Sequence, residues 1–230
     1  MLAEQYQEIL EKVHGASVRS GRKETDVTLI AVSKTHPVSA IAEVYEAGCR
    51  DFGENKVQEL VAKYDQLPND IRWHMIGHLQ TNKVKYIADK VYMIHSVDSY
   101  HLACEISKEA AKQNRVIPIL IEVNIAKEES KFGVMEEDAA ELVRRIALLP
   151  NVKIRGLMTI APYVDDPEKN RQYFVGLKHL SVDIARQNID NVDMDVLSMG
   201  MSGDYQVATE EGATYTRVGT GIFGKRDYMV

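Results

Sequence analysis

Hydrophobic positions along this chain alternate between two periods. In the first two dozen residues Leu2, Tyr6, Ile9, Leu10 and Val13 recur at helical spacing, broken by Glu4, Glu8 and Glu11, and predict an amphipathic helix. "VTLIAVS" (Val27–Ser33) is a β-branched run that predicts a strand, and after Pro37 a helix follows over Val38–Ala47, ended by Gly48. The same unit then recurs. Strands are predicted at Asp51–Gly53, Trp73–Gly77, Val91–Val97, Ile117–Val123, Ile154–Met158, Val196–Ser198 and Tyr215–Val218. Helices fall between them near Lys56–Tyr64, Thr81–Ala88, Tyr100–Lys112, Glu136–Leu148, Pro167–Arg186 and Asp204–Thr209.

About eight strand–helix units in 230 residues point to the α/β class and to one (β/α)8 TIM barrel domain over residues 1–230. The extra N-terminal helix is expected to cover one end of the barrel. An open doubly wound sheet is the competing arrangement. Low-complexity tracts and linkers rich in Pro, Gly or Ser are absent from the sequence.

Composition narrows the class of function. A chain 45% hydrophobic and 27% charged buries a substantial core, which argues against disorder. Its apolar runs stay below the roughly 18 to 20 residues of a membrane span, and the N-terminal stretch lacks a secretory h-region. A soluble, cytoplasmic protein with no membrane partner is expected. The net charge of −6 offers no basis for sequence-independent binding of nucleic acid. Cys49 and Cys104 stand far apart, outside any C-x-x-C arrangement, and read as buried thiols.

Function in such a barrel gathers at the C-terminal ends of the strands, and a phosphate is often held by the loops after strands seven and eight. Both loops carry suitable residues. In "MGMSGD", Gly200 permits close backbone approach, and Ser202 can cap the next helix while facing an anion. After Arg217, the stretch Gly219-Thr220-Gly221 can turn several N–H groups and a hydroxyl toward one point. Taken singly these are turn and cap residues; together, at the two expected loops, they predict a phosphate cup. "RVGTGIFG" also matches G-x-G-x-x-G, but only Lys225 to Val230 follow, which leaves no βαβ unit and no ribose-binding acid for a dinucleotide.

Strand parity adds a nucleophile. Ile30, Val32 and Lys34 share one face, so Lys34 should project into the barrel mouth, where desolvation favours the neutral amine that a Schiff base requires; a solvated strand-end lysine is the alternative. Arg217, two residues before Gly219, should also face inward. Beside a pyridine nitrogen a guanidinium donates and leaves that nitrogen unprotonated; a structural ion pair is its competing role. Asn55 can contact a ring or cap a helix, and His78 can reach the mouth, although with His74 it makes no metal site without a third ligand. Glu122 and Asn124 end the fifth strand, and Lys131 on the next loop reads as solvated.

The motifs "AVSKTHP", "FGENKVQE", "WHMIGHLQTNK", "IHSVDS", "RGLMTIAP", "LSMGMSGDY" and "TRVGTGIFGKRDY" run in order along nearly the whole chain. In them the sequence resembles the pyridoxal phosphate homeostasis protein family, relatives of the N-terminal barrel of alanine racemase. The resemblance implies fold type III of pyridoxal 5′-phosphate (PLP) proteins, with Lys34 forming the Schiff base, Arg217 at the pyridine nitrogen, and Ser202, Gly219 and Thr220 on the phosphate. It also implies Asn55 beside the cofactor and Met199 near the phosphate end.

Alanine racemase adds a second domain and a tyrosine from a partner subunit, whereas this sequence stops after the last predicted strand. An arginine at the ring nitrogen also weakens the electron sink. The resemblance accordingly implies a protein that binds PLP, limits its free level and passes it to apo PLP-dependent enzymes, with effects on amino-acid and keto-acid balance and no established turnover. A monomer is expected. The alternatives are a PLP-dependent amino-acid racemase of low activity and, apart from the resemblance, a Schiff-base aldolase acting on a phosphorylated sugar.

Overall fold

The computed structural model describes residues 1–224, so Lys225 to Val230, which end the last quoted motif, lie outside the described residues. Eight parallel strands close into a barrel in chain order. They are β1 (Thr28–Val32), β2 (Asp51–Glu54), β3 (Arg72–Met75), β4 (Met93–Val97), β5 (Ile117–Glu122), β6 (Val152–Met158), β7 (Val192–Ser198) and β8 (Tyr215–Val218). The ring closes where β1 pairs with β8, in the register Ile30 with Arg217 and Ala31 with Val218. Closure excludes the open sheet.

The helices are α1 (Leu2–Arg19), α2 (Val38–Glu46), α3 (Val57–Tyr64), α4 (Tyr100–Lys112), α5 (Glu136–Ala147), α6 (Arg171–Ala185), α7 (Tyr205–Glu210) and α8 (Thr220–Phe223). Two predicted helices are corrected. Thr81–Tyr86 is a 3-10 helix: Thr81, Asn82 and Val84 form α-helix poorly, and a segment this short closes in i to i+3 bonds. Pro167–Asn170 is likewise a 3-10 turn that leads into α6, started by Asp166, whose side chain accepts from Glu168 N at 3.1 Å, with Pro167 in the first position; the buried Asn170 amide donates to Pro162 O at 2.9 Å and to Asp204 at 2.7 Å.

The first helix does not cover an end of the barrel. It packs on α2, α7 and α8 and takes a place in the outer ring, since α8 is only one short turn. Tyr6, Ile9 and Val13 bury its apolar face, Glu43 of α2 accepts from Leu2 N at 2.8 Å, and Arg19 pairs with Glu210 of α7 at 2.9 Å.

Two apolar regions follow from the period of two along each strand. Outward residues such as Leu29, Phe52, Trp73 and Ile94 join the helices in the main core. Inside the barrel a smaller cluster of Met93, Leu120, Met158 and Val196 fills the ring, beside polar inward residues that include His74, His95, Ser198 and Arg217. None of the helices among the described residues is long and apolar enough to cross a membrane.

Candidate functional site

A cavity of about 660 Å³ opens at the C-terminal ends of the strands, and Lys34, Asn55, Ser202, Arg217, Gly219 and Thr220 all line it. Strand β1 stops at Val32, so Lys34 reaches the cavity on a turn and not on the strand itself. That turn is clamped on both sides. Ser33 Oγ donates to Glu54 Oε1 at 2.7 Å, Ser33 O accepts from Lys63 Nζ at 2.9 Å, and Thr35 N donates to Glu59 Oε2 at 2.6 Å. Thr35 sits at φ 67°, which costs a β-branched residue on the order of 1–3 kcal/mol, so the turn needs these partners. Burial pushes the Glu54 carboxyl above its ordinary range, opposed by Lys63 and Ser33.

Arg217 is buried, and its guanidinium donates to Ser198 Oγ at 2.6 Å and to Thr159 O at 2.8 Å. Desolvation lowers its pKa to about 10, against the pull of Glu122 and Asp204, so it stays cationic at neutral pH. These donations go to a hydroxyl and a carbonyl, not into a structural ion pair.

The two loops expected to form a phosphate cup meet. Gly200 has φ +87° and a Cβ there would stand 2.5 Å from Ala208 Cβ, so the tight turn after β7 requires glycine. Its carbonyl accepts from Arg217 N at 3.0 Å. Ser202 Oγ accepts from Gly219 N at 3.3 Å and from Gly221 N at 3.4 Å, tying one loop to the other. Asp204 braces the same loop, accepting from Met201 N at 2.7 Å and from Asn170.

Asn55 presents a buried Oδ1 that has no hydrogen-bond partner among the described residues. A Cβ at Gly77 would lie 2.4 Å from Asn55 O, so the close approach of the two backbones here requires glycine. A buried acceptor without a donor is costly unless a ligand supplies one. An amine, a guanidinium, an orphaned amide oxygen and gathered hydroxyl and N–H groups on one cavity fit a phosphorylated pyridine aldehyde.

Other expectations fall differently. Met199 does not line the cavity: it is fully buried in the helix-side core, because Ser198 takes the inward position of β7 and the next side chain points outward. Lys131 is exposed but lies on the cavity rim, so it is not merely solvated. Asn124 organises its loop, exchanging hydrogen bonds with Glu128 at 2.8 and 3.2 Å. His78 stacks on Phe132 at 3.8 Å, while His74 is sealed inside the barrel next to His95. Burial, with Asp98 adding to it and Arg217 opposing it, raises Glu122 to about 7.

Sequence reasoning missed the supporting residues Ser198, Thr159, Glu54, Glu59 and Lys63. Lys63 carried a signal. It shares the buried stripe of α3 with Val57 and Leu60, and a charge on an apolar stripe demands a partner.

The family model described as the N-terminal domain of alanine racemase matches residues 16–227. A pyridoxal phosphate homeostasis protein of Aquifex aeolicus is 49% identical over 226 residues, covering 98% of each chain. The chain belongs to the pyridoxal phosphate homeostasis protein family. The solved structure of PipY from Synechococcus elongatus with PLP bound is 37% identical, with a TM-score of 0.82 over 97% of this chain and all of that one. An alanine racemase of Clostridium difficile is similar at 12% identity and a TM-score of 0.78, covering 97% of this chain and 57% of its own; that likeness is of the barrel fold.

Proposed function

We propose that this chain binds PLP in the barrel-mouth cavity and serves PLP homeostasis, holding the cofactor and not turning over a substrate. The convergence of Lys34, Arg217, Asn55, Ser202, Gly219 and Thr220 on one cavity carries this reading, and the PLP-bound relative PipY supports it. PLP supplies an aldehyde carbon for a Schiff-base link to an amine. Lys34 is the amine, on a clamped turn that limits the conformations it must lose on binding. Arg217 donates to the pyridine nitrogen and, being cationic and donor-only, keeps it unprotonated. Asn55 Oδ1 accepts from the cofactor, and Ser202, Thr220 and the Gly219 N–H take the phosphate. Met199 sits one layer back, supporting the β7 loop from the core.

An unprotonated pyridine withdraws electrons weakly, which favours storage over proton abstraction at an amino acid. We place the protein in the cytoplasm as a monomer that delivers PLP to apo-enzymes, with effects on amino-acid and keto-acid balance. The deciding measurement is the visible absorption of purified protein after incubation with PLP. The wild type gains the lysine-linked band and Lys34→Ala loses it; a Lys34→Ala protein with the native band would overturn the assignment. Holding without turnover predicts that solvent deuterium enters the Cα position of added amino acids no faster than with free PLP.

A further inference from the structure

Arg217 is one end of a hydrogen-bond chain that runs through the barrel interior. Ser198 Oγ, which accepts from Arg217 Nη1 at 2.6 Å, lies 2.8 Å from His95 Nδ1. His95 Nε2 lies 2.9 Å from His74 Nδ1, and His74 Nε2 lies 3.0 Å from Asp51 Oδ1. Asp51, at the N-terminal rim of the barrel, also accepts from Arg72 Nε at 2.8 Å and Nη2 at 2.5 Å. Ser198, His95 and His74 are fully buried.

The direction of this chain follows from what each group can donate. A guanidinium has no acceptor, so Ser198 Oγ accepts from Arg217 and keeps its only proton to give. At the far end a carboxylate fixes the His74 proton on Nε2 and passes the same order back through His95, whose Nδ1 is left to receive the Ser198 proton. His95 Nδ1 therefore accepts, its proton sits on Nε2, and that N–H donates to His74 Nδ1. The same logic puts the His74 proton on Nε2, facing the Asp51 carboxylate. The reverse direction would need the Asp51 carboxylate, which only accepts, to donate to His74 Nε2. Both ends agree: a cation that only donates at one, and at the other a carboxylate held below its ordinary range by His74 and Arg72 despite burial. Both rings are neutral in this arrangement, in line with the burial that lowers both histidines.

We propose that His95 and His74 are positioning residues for Arg217, acting through Ser198: a one-way chain anchored on the Asp51–Arg72 pair holds the Ser198 hydroxyl as an acceptor toward the guanidinium, and so sets how Arg217 faces the cavity. Its consequence for the cofactor rests on the PLP reading above; the direction of the chain does not. A change two side chains away from Arg217, sealed inside the barrel, then alters the cofactor's surroundings.

The test has two readouts. Long-range proton–nitrogen correlation NMR on the 15N-histidine-labelled full chain should place both rings in the neutral Nε2–H tautomer; an Nδ1–H tautomer at either ring overturns the direction. For the positioning role, His95→Leu fills the space but cuts the chain, whereas His95→Gln offers an oxygen to Ser198 and an N–H to His74. His95→Leu should shift the bound-PLP absorption maximum and weaken PLP retention about tenfold, because the Ser198 hydroxyl is released and its charge-assisted bond to Arg217 weakens, with His95→Gln near wild type. A folded His95→Leu protein with wild-type spectrum and retention overturns the proposal, and if neither variant folds, the wild-type tautomers decide it. Failure of the wild type to take up PLP would sink the functional reading, and the NMR result would still decide the chain.

Discussion

Lys63 Nζ lies 2.7 Å from Glu54 Oε1, and this ion pair, at most 9% exposed on either side chain, buttresses the turn that carries Lys34. Its two members do different work. Glu54 receives the Ser33 hydroxyl, while Lys63 also holds the Ser33 carbonyl and reaches Glu59 at 3.3 Å, which in turn holds Thr35 N. Lys63→Met should therefore cost about 3–5 kcal/mol in urea unfolding, because it leaves a carboxylate buried without its cation. Adding Glu54→Gln removes that charge and should restore most of the stability. The double variant still lacks the bond to Ser33 O, so its rate of PLP attachment, followed by absorbance after mixing, should stay below wild type. Full recovery of both quantities would show that the clamp plays no part in presenting Lys34.

Replacing Arg217 by lysine separates charge from geometry. An ammonium is a point charge on a flexible stem and cannot reproduce the fork that reaches Ser198 and Thr159 O together. Arg217→Lys should keep the fold, losing about 1–3 kcal/mol for the vacated partners, while PLP retention in equilibrium dialysis falls by about tenfold or more. Equal retention in the two proteins would mean that charge alone suffices at this position.

Gly200→Ala tests the phosphate loop from its backbone. The new Cβ meets Ala208 Cβ at 2.5 Å in a residue held at φ +87°, so crowding and strain act together, and about 1–3 kcal/mol of stability should be lost. The loop that carries Ser202 shifts with it. Inorganic phosphate should then compete less well for the cavity than it does in the wild type, with PLP displacement as the measurement. Asp204→Ala attacks the same loop through its brace, freeing Met201 N and the Asn170 amide. It should weaken phosphate competition with a smaller loss of stability, since it adds no crowding.

Much of the site was legible because it depends on local rules. Parity and the period of the strand–helix units brought Arg217 to the mouth and Lys34 close to it, on the turn after β1, and the loops after β7 and β8 line the same cavity. Parity applied one residue further would also have turned Met199 outward, since Ser198 faces in. What stayed hidden depends on partners distant in the chain. The bond between His95 and Ser198 spans 103 positions, and the register of β4 against β5 shifts between Ile94 and Val97, so no local pattern aligns that pair. The place of α1 depends on how short α8 is, and four residues after Gly219 do not announce their length in a periodic pattern.

Glu122 gives the fold a measurable pH signature. Its folded pKa is raised to about 7 from the ordinary 4.5, mainly by burial, with Asp98 adding to the rise and Arg217 opposing it. A carboxyl whose folded pKa lies above its unfolded value binds its proton more tightly in the folded state. The stability it contributes is complete below about pH 4.5 and disappears as pH rises through about 7. His74 and His95, lowered by burial, act in the opposite sense below their ordinary range, so the whole-protein curve mixes the two. Subtracting the curve of Glu122→Gln removes the histidines. In urea unfolding from pH 4.5 to 8, wild type relative to Glu122→Gln should lose on the order of 3 kcal/mol, with the fall ending near pH 7. Parallel curves would mean that Glu122 ionises in the folded barrel as it does in water, and that the field of Arg217 cancels the burial that surrounds it.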